Sequence, residues 1–245
     1  MKSTYVSRPR TAVPVLVVVV LVIGNILSNR VVPAAAYVPM NLLTAATVFV
    51  VSRRLVTSRD MGLRNWSRGA RWGGAVLIGG VAAYLVALLL PGFRDLFHDR
   101  RVDGGLVRVV YEALVRIPLG TVLLEELAFR GALPALFARY TTTLRAVAAS
   151  SLLFGLWHVL PSMRLADVNP VFDWLMGDGA AGQMAGVVLA VLGTFLAGLG
   201  LSFLRYRSGS ILASIIAHIA SNSVAYVMAW IVGGAMIRTE IVLRG

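Results

Sequence analysis

Carboxylates, imidazoles and amides are costly to place inside long apolar runs, so each one found there asks for a chemical reason. Four places in this chain qualify: Glu125-Glu126 with Arg130, then His158, His218 and Asn222. Glu126 and Arg130 are four apart, with the glutamate on the N-terminal side, so on a helix they share a face and neutralise each other. Glu125 is turned about 100° away and is left to point elsewhere. Phe154 and His158 are again four apart, with Trp157 beside the histidine; His218 and Asn222 repeat the spacing. A carboxylate paired with a neutral imidazole can take a proton from water and aim the nucleophile that results. A second imidazole and an amide can donate hydrogen bonds to the oxyanion of an attacked carbonyl. Together these groups suit amide hydrolysis without a covalent intermediate.

Each residue also has a blander reading. Paired carboxylates can sit near water at a helix end, a lone histidine can anchor a span at its border, and an asparagine can bond two helices together. Two histidines and a glutamate are also a catalytic zinc set. The chain has no HExxH, however, and these ligands would come from three separate spans, so a zinc-dependent protease is the lesser alternative. No cysteine is present, which excludes thiolate catalysis, cysteine-based metal sites and disulfides.

The elements that must position these groups are long and apolar. The chain is 58% hydrophobic with a mean hydropathy of +0.80, and only 14% of its residues are charged, against roughly 25% in a soluble domain. Runs of about 20 apolar residues cross the hydrocarbon as helices. They occur at Ala12 to Asn29, Val31 to Val51, Trp72 to Leu90, Leu144 to Leu160, Gln183 to Leu204, and Ser210 to Gly234. A further element, Leu106 to Phe137, starts amphipathically with Arg108, Glu112 and Arg116 and carries a kink signal at Pro118. The expected fold is all-α, a polytopic membrane helix bundle of about seven to eight transmembrane helices. It is treated as one integral membrane unit over residues 1–245, with a motif-bearing core at 106–234. The apolar stretch after Lys2, Arg8 and Arg10 is read as a retained first span rather than a removed signal peptide.

Helical rise then links the candidate residues in depth. Glu125 and His158 lie at similar distances on either side of the turn near Arg139–Thr143, so antiparallel helices bring them level. His218 lies beyond the Arg205–Gly209 turn, and modest tilts level it with them. Small residues at Gly182, Gly186, Ala190, Thr194 and Gly198 form a stripe that lets helices approach closely.

The net charge is +12. The basic residues are scattered in short clusters between apolar runs, which excludes a nucleic-acid face and fits the positive-inside rule. With the N-terminus cytoplasmic, the Arg53–Arg71 loop and the Arg139/Arg145 and Arg205/Arg207 turns fall inside. Arg30, the Phe93–Gly105 loop, the acidic Ser162–Gly182 loop and the C-terminal tail fall outside. The expected surroundings are membrane lipid, and the expected partner is a peptide or membrane-protein substrate.

The residues also carry a family resemblance. Glu125-Glu126-Leu127-Ala128-Phe129-Arg130 resembles the EExxxR motif of the CAAX protease and bacteriocin-processing family, which includes the type II CAAX prenyl proteases. Phe154-Gly155-Leu156-Trp157-His158 resembles its FxxxH motif, and His218-Ile219-Ala220-Ser221-Asn222 its HxxxN motif. The resemblance covers Leu106 to Gly234; the first three spans carry no motif. It implies a metal-independent intramembrane glutamate protease with no cofactor. Glu125 would be the general base, with His158 helping to activate water. His218 and Asn222 would form the oxyanion hole, and Glu126, Arg130 and Phe154 would support the site. No prenyl-recognition element is identifiable, so CAAX specificity is not carried over. The competing classes are a non-catalytic member of the fold, such as an immunity factor or scaffold, and a small proton-coupled transporter. The intact motif residues speak against the first, and the lack of internal repeats against the second.

Overall fold

A computed structural model describes residues 11–90, 93, 97, 102, 105–163 and 179–233. Among the described residues there are helices and no strands. Among these residues, six helices are long and apolar enough to cross a membrane: α1 (Ala12–Val31), α2 (Ala34–Ser52), α3 (Trp66–Leu89), α5 (Thr143–Ser162), α6 (Ala180–Ser208) and α7 (Ile211–Gly233). Between α3 and α5 runs α4 (residues 106–137), which contains Glu112, Arg116, Glu125, Glu126 and Arg130. The chain is therefore a helical membrane bundle and an integral membrane protein. In lipid every backbone N–H and C=O must find a partner within the protein, and helices do this segment by segment. The tail with Lys2, Arg8 and Arg10, most of the Phe93–Gly105 loop, the acidic part of the Ser162–Gly182 loop and the C-terminal tail lie outside the described residues.

Two boundaries differ from the apolar runs. Helix α3 begins at Trp66 rather than Trp72, so Arg68 and Arg71 ride on its first turns instead of in a loop. Its start is set by Asn65, which takes the left-handed conformation at φ 54, a region asparagine tolerates better than most residues. Pro161 does not stop α5, which continues to Ser162. The proline acts one turn earlier: the regular helix ends at Trp157, and His158 departs at φ −83, ψ −1.

Helix α4 is the centre of the bundle. From Leu127 to Leu136 every residue is buried, matching a stretch that is apolar on nearly all sides. Two of its stretches, Glu112–Val122 and Leu127–Ala132, are π-helical, with backbone bonds reaching five residues back, as from Leu123 to Pro118 and from Leu133 to Ala128. Such wide turns are frequent at functional sites. The hydrophobic core forms where α4 meets α1, α2 and α5, through Val17, Leu21, Val48, Leu124, Phe129, Leu133 and Phe154.

Three prolines explain three long-range hydrogen bonds. A proline has no N–H, so one carbonyl behind it loses its helical partner. In the π register Pro118 leaves Ala113 and Pro134 leaves Phe129; in the α register Pro161 leaves Trp157. Each of these carbonyls accepts from another helix: Ala113 from the Ser223 hydroxyl at 2.8 Å, Phe129 from the Ser150 hydroxyl at 2.7 Å, and Trp157 from the Asn25 amide at 2.8 Å. The prolines thereby fix α7 and α5 against α4, and α1 against α5.

Close approach does the rest. A Cβ on Gly155 would meet the Val191 carbonyl at 2.7 Å, and one on Gly198 would meet Ser151 at 3.1 Å. The small-residue stripe of α6 thus packs along α5. Gly209 (φ 71) ends α6, with the Ser210 N–H returning to the Arg205 carbonyl at 3.2 Å, a left-handed C-terminal cap. Arg205 does not simply mark a turn. It is buried and donates to the Asp60 carbonyl, tying α6 to the loop before α3.

Candidate active site

The pair on α4 divides as the helical spacing predicts. Glu126 is fully buried and its Oε1 lies 3.1 Å from Arg130 Nη1, one turn along. The same oxygen lies 2.8 Å from His218 Nδ1 on α7. Since a carboxylate only accepts, His218 donates from Nδ1, which makes Nε2 an acceptor in the neutral ring and a donor only in the doubly protonated one. His218 Nε2 points to the second glutamate, 3.7 Å from Glu125 Oε2.

Glu125 is seated unevenly. Its Oε1 accepts from the Trp157 indole N–H at 2.9 Å. Its Oε2 is buried and makes no hydrogen bond among the described residues. Native structures leave few buried polar atoms unpaired, so each one calls for an explanation.

Phe154 holds the aromatic centre of the site. Both imidazoles stand edge-on to its ring, His158 at 4.7 Å and His218 at 6.0 Å between centroids. The Arg130 guanidinium lies 3.9 Å over the same ring, a cation–π contact in an apolar setting. His158 does not bond Glu125 directly. Its Nδ1 lies 2.8 Å from the Phe154 carbonyl, which can only accept, so His158 donates from Nδ1 and carries its lone pair on Nε2.

The structure thus gathers Glu125, Glu126, Arg130, Phe154, His158 and His218 around one ring and one pair of carboxylates. Asn222 stands apart. It is half-buried, in the π-helical turn Ala220–Val224 of α7, and accepts from the neighbouring Ser221 hydroxyl at 3.3 Å. It lines a cavity of about 750 Å³ whose walls include Arg108, Glu112, Arg116, Ser221 and Tyr226. Glu112 pairs with Arg116 at 3.0 Å on that wall. Among the described residues, no group of three or more histidines, cysteines or acids is arranged to hold a metal ion.

The motif-less helices contribute as well. From α2, the Asn41 amide donates to the Gly120 carbonyl at 2.6 Å, and the Tyr37 hydroxyl meets the Thr121 hydroxyl at 3.1 Å. The Arg116 guanidinium lies 4.4 Å over the Tyr37 ring. From α1, Asn25 holds Trp157. Asn25 and Asn41 are buried amides within apolar spans, and that cost was the available signal for both. For Trp157 the signal was Pro161, four residues on.

Comparison with known proteins agrees with the motifs. The family model for type II CAAX prenyl endopeptidase, Rce1-like, matches residues 108–224. That stretch opens in the first turn of α4, ends in the π-helical turn of α7, and contains every motif residue. No curated protein and no solved structure matches the chain. Residues 108–224 thus carry a domain like that of the Rce1-like type II CAAX prenyl endopeptidases.

Proposed function

We propose that this protein is an intramembrane endopeptidase that hydrolyses a peptide bond with water activated by Glu125 and His158, without a metal. The substrate is a peptide or a segment of a membrane protein. The uneven seating of Glu125 carries this reading: one oxygen is fixed by Trp157, and the other is buried and unbonded, facing His218 Nε2.

In the proposed reaction, Glu125 Oε2 takes one proton of a water while the lone pair on His158 Nε2 accepts from the other, aiming the oxygen at the scissile carbonyl. The carbon becomes tetrahedral and its oxygen negative. With Nδ1 held by the Glu126 carboxylate, His218 in its doubly protonated form would donate from Nε2 to that oxyanion, and the Asn222 amide donates from the cavity side. The tetrahedral species then collapses. The C–N bond breaks, and the proton held on Glu125 passes to the departing amine. One water is consumed and two chain ends are released. With the N-terminus cytoplasmic, as the arginine-rich loops favour, the cavity lies toward the end of the bundle that carries Ala34, Phe97, Val102 and Arg108, opposite the cytoplasm.

The test uses internally quenched fluorogenic peptides and the full-length protein in proteoliposomes. Glu125→Gln keeps the size of the side chain and an acceptor for Trp157. It is expected to slow cleavage by about 10²–10⁴-fold with an unchanged melting temperature, and chelators should leave wild-type cleavage intact. Wild-type rates in the glutamine variant would end this reading and favour a non-catalytic member of the fold.

A further inference from the structure

We infer that Trp157 is a positioning residue for Glu125, and that Asn25, on a helix outside the family match, locks it in place. This rests on the protease reading only for its kinetic consequence.

An indole N–H is a donor and never an acceptor. Its bond to Glu125 Oε1, 2.9 Å long, therefore assigns the two carboxylate oxygens different work. Oε1 is held as an acceptor, so a proton taken up by Glu125 must sit on Oε2. That is the oxygen turned toward His218 Nε2. Trp157 thus sets both the direction of the carboxylate and the oxygen that receives the proton.

Such a donor is useful only if it is itself immobile. Trp157 is the last residue of the regular part of α5, where a side chain would be expected to loosen. Three contacts prevent this. Its carbonyl, released by Pro161, accepts from the buried Asn25 amide at 2.8 Å. Its ring stands edge-on to Phe129 with centroids 5.6 Å apart, and Phe129 is buried on α4 four residues from Glu125. The backbone of α5 is pressed against α6 at Gly155. Asn25 is held in turn from its own helix, where its Oδ1 accepts from Asn29 at 2.6 Å. The chain of contacts runs Asn29, Asn25, Trp157, Glu125, and so links α1 to the carboxylate.

The first measurement is the indole ¹H–¹⁵N spectrum of the full-length protein in detergent micelles. The Trp157 signal is identified by its loss in Trp157→Phe. Glu125→Gln replaces a charged acceptor by a neutral one and is expected to move this signal upfield, leaving the other tryptophans in place. Asn25→Ala is expected to broaden or shift it. An indole signal indifferent to Glu125→Gln overturns the inference, whether or not the protein proves to be a protease.

The second measurement uses a fluorogenic peptide that the wild type cleaves. Trp157→Phe keeps the ring contact with Phe129 and loses only the donor. It is expected to lower kcat on the order of a hundredfold while KM stays within about twofold, because the loss falls on the reacting carboxylate and not on substrate binding. Asn25→Ala shifts kcat in the same direction by less. A wild-type kcat in Trp157→Phe, or a rise in KM alone, overturns the positioning role. Should Trp157→Phe fail to fold, the Glu125→Gln shift and the Asn25→Ala kinetics still decide it. A wild type that cleaves no peptide counts against the protease reading instead.

Discussion

His218 Nδ1 and Glu126 Oε1 lie 2.8 Å apart, and that same oxygen faces Arg130 Nη1 at 3.1 Å. One fully buried carboxylate therefore neutralises an arginine on its own helix and orients a histidine on another. Glu126 is thus more than the partner of Arg130: it fixes which nitrogen of His218 is turned to Glu125.

Removing that carboxylate should be costly. Glu126→Gln leaves Arg130, itself almost wholly buried, without its ion-pair partner. Breaking a buried pair from one side costs about 3–5 kcal/mol, so thermal unfolding in detergent should show a large fall in melting temperature. Glu125→Gln, beside it in sequence, should show little. Equal effects of the two variants would contradict the division of labour between the glutamates.

Asn222 behaves differently because it is half-buried on a cavity wall. Asn222→Ala should leave the melting temperature close to wild type and lower kcat by about 10²–10³-fold, the usual loss for one oxyanion donor. Steady-state kinetics on a cleaved peptide separate the two effects, and an unchanged kcat would remove Asn222 from the proposed reaction.

The proline-released carbonyls make a stability prediction independent of catalysis. Ser150→Ala and Ser223→Ala strip the donors from the Phe129 and Ala113 carbonyls. A buried acceptor left alone costs about 1–3 kcal/mol, so each variant should be measurably less stable. Thr47→Ala should be nearly silent, since the Thr47 hydroxyl only bonds a carbonyl of its own helix at an exposed position.

The loop before α3 predicts an acid sensitivity. The Thr57 hydroxyl and backbone N–H both donate to Asp60 Oδ2, at 2.7 and 2.8 Å, and hold its pKa below the ordinary carboxylate value. A depressed folded-state pKa contributes stability that is fully present above the unfolded value, about 3.9, and lost as pH falls through the folded one. Asp60→Ala should therefore melt below wild type near pH 6, with the gap closing below about pH 4. A gap that stays constant down to low pH would show that the carboxylate charge contributes nothing.

Much of the site was legible from spacing alone. Within one helix the backbone repeats every 3.6 residues, so sequence distance fixes which side chains share a face. The Glu126–Arg130 pair, the turning of Glu125 to a different face and the Phe154–His158 contact all follow from that rule. Apolar run lengths likewise placed the spans, because every backbone group in lipid must be satisfied within its segment.

Relations between helices have no such repeat. How far each helix is rotated and shifted against its neighbour depends on glycines such as Gly155 and Gly198 meeting particular backbone and side-chain atoms. Only the packed structure could therefore decide that Ser223, Ser150 and Asn25 satisfy the freed carbonyls, that His218 bonds Glu126 while His158 bonds the Phe154 carbonyl, and that Trp157 holds Glu125. The sequence by itself determined which polar residues stand in apolar spans as candidates and which face of its helix each occupies. Tertiary packing decided which atom meets which, because those contacts join segments far apart along the chain, and no local periodicity constrains them.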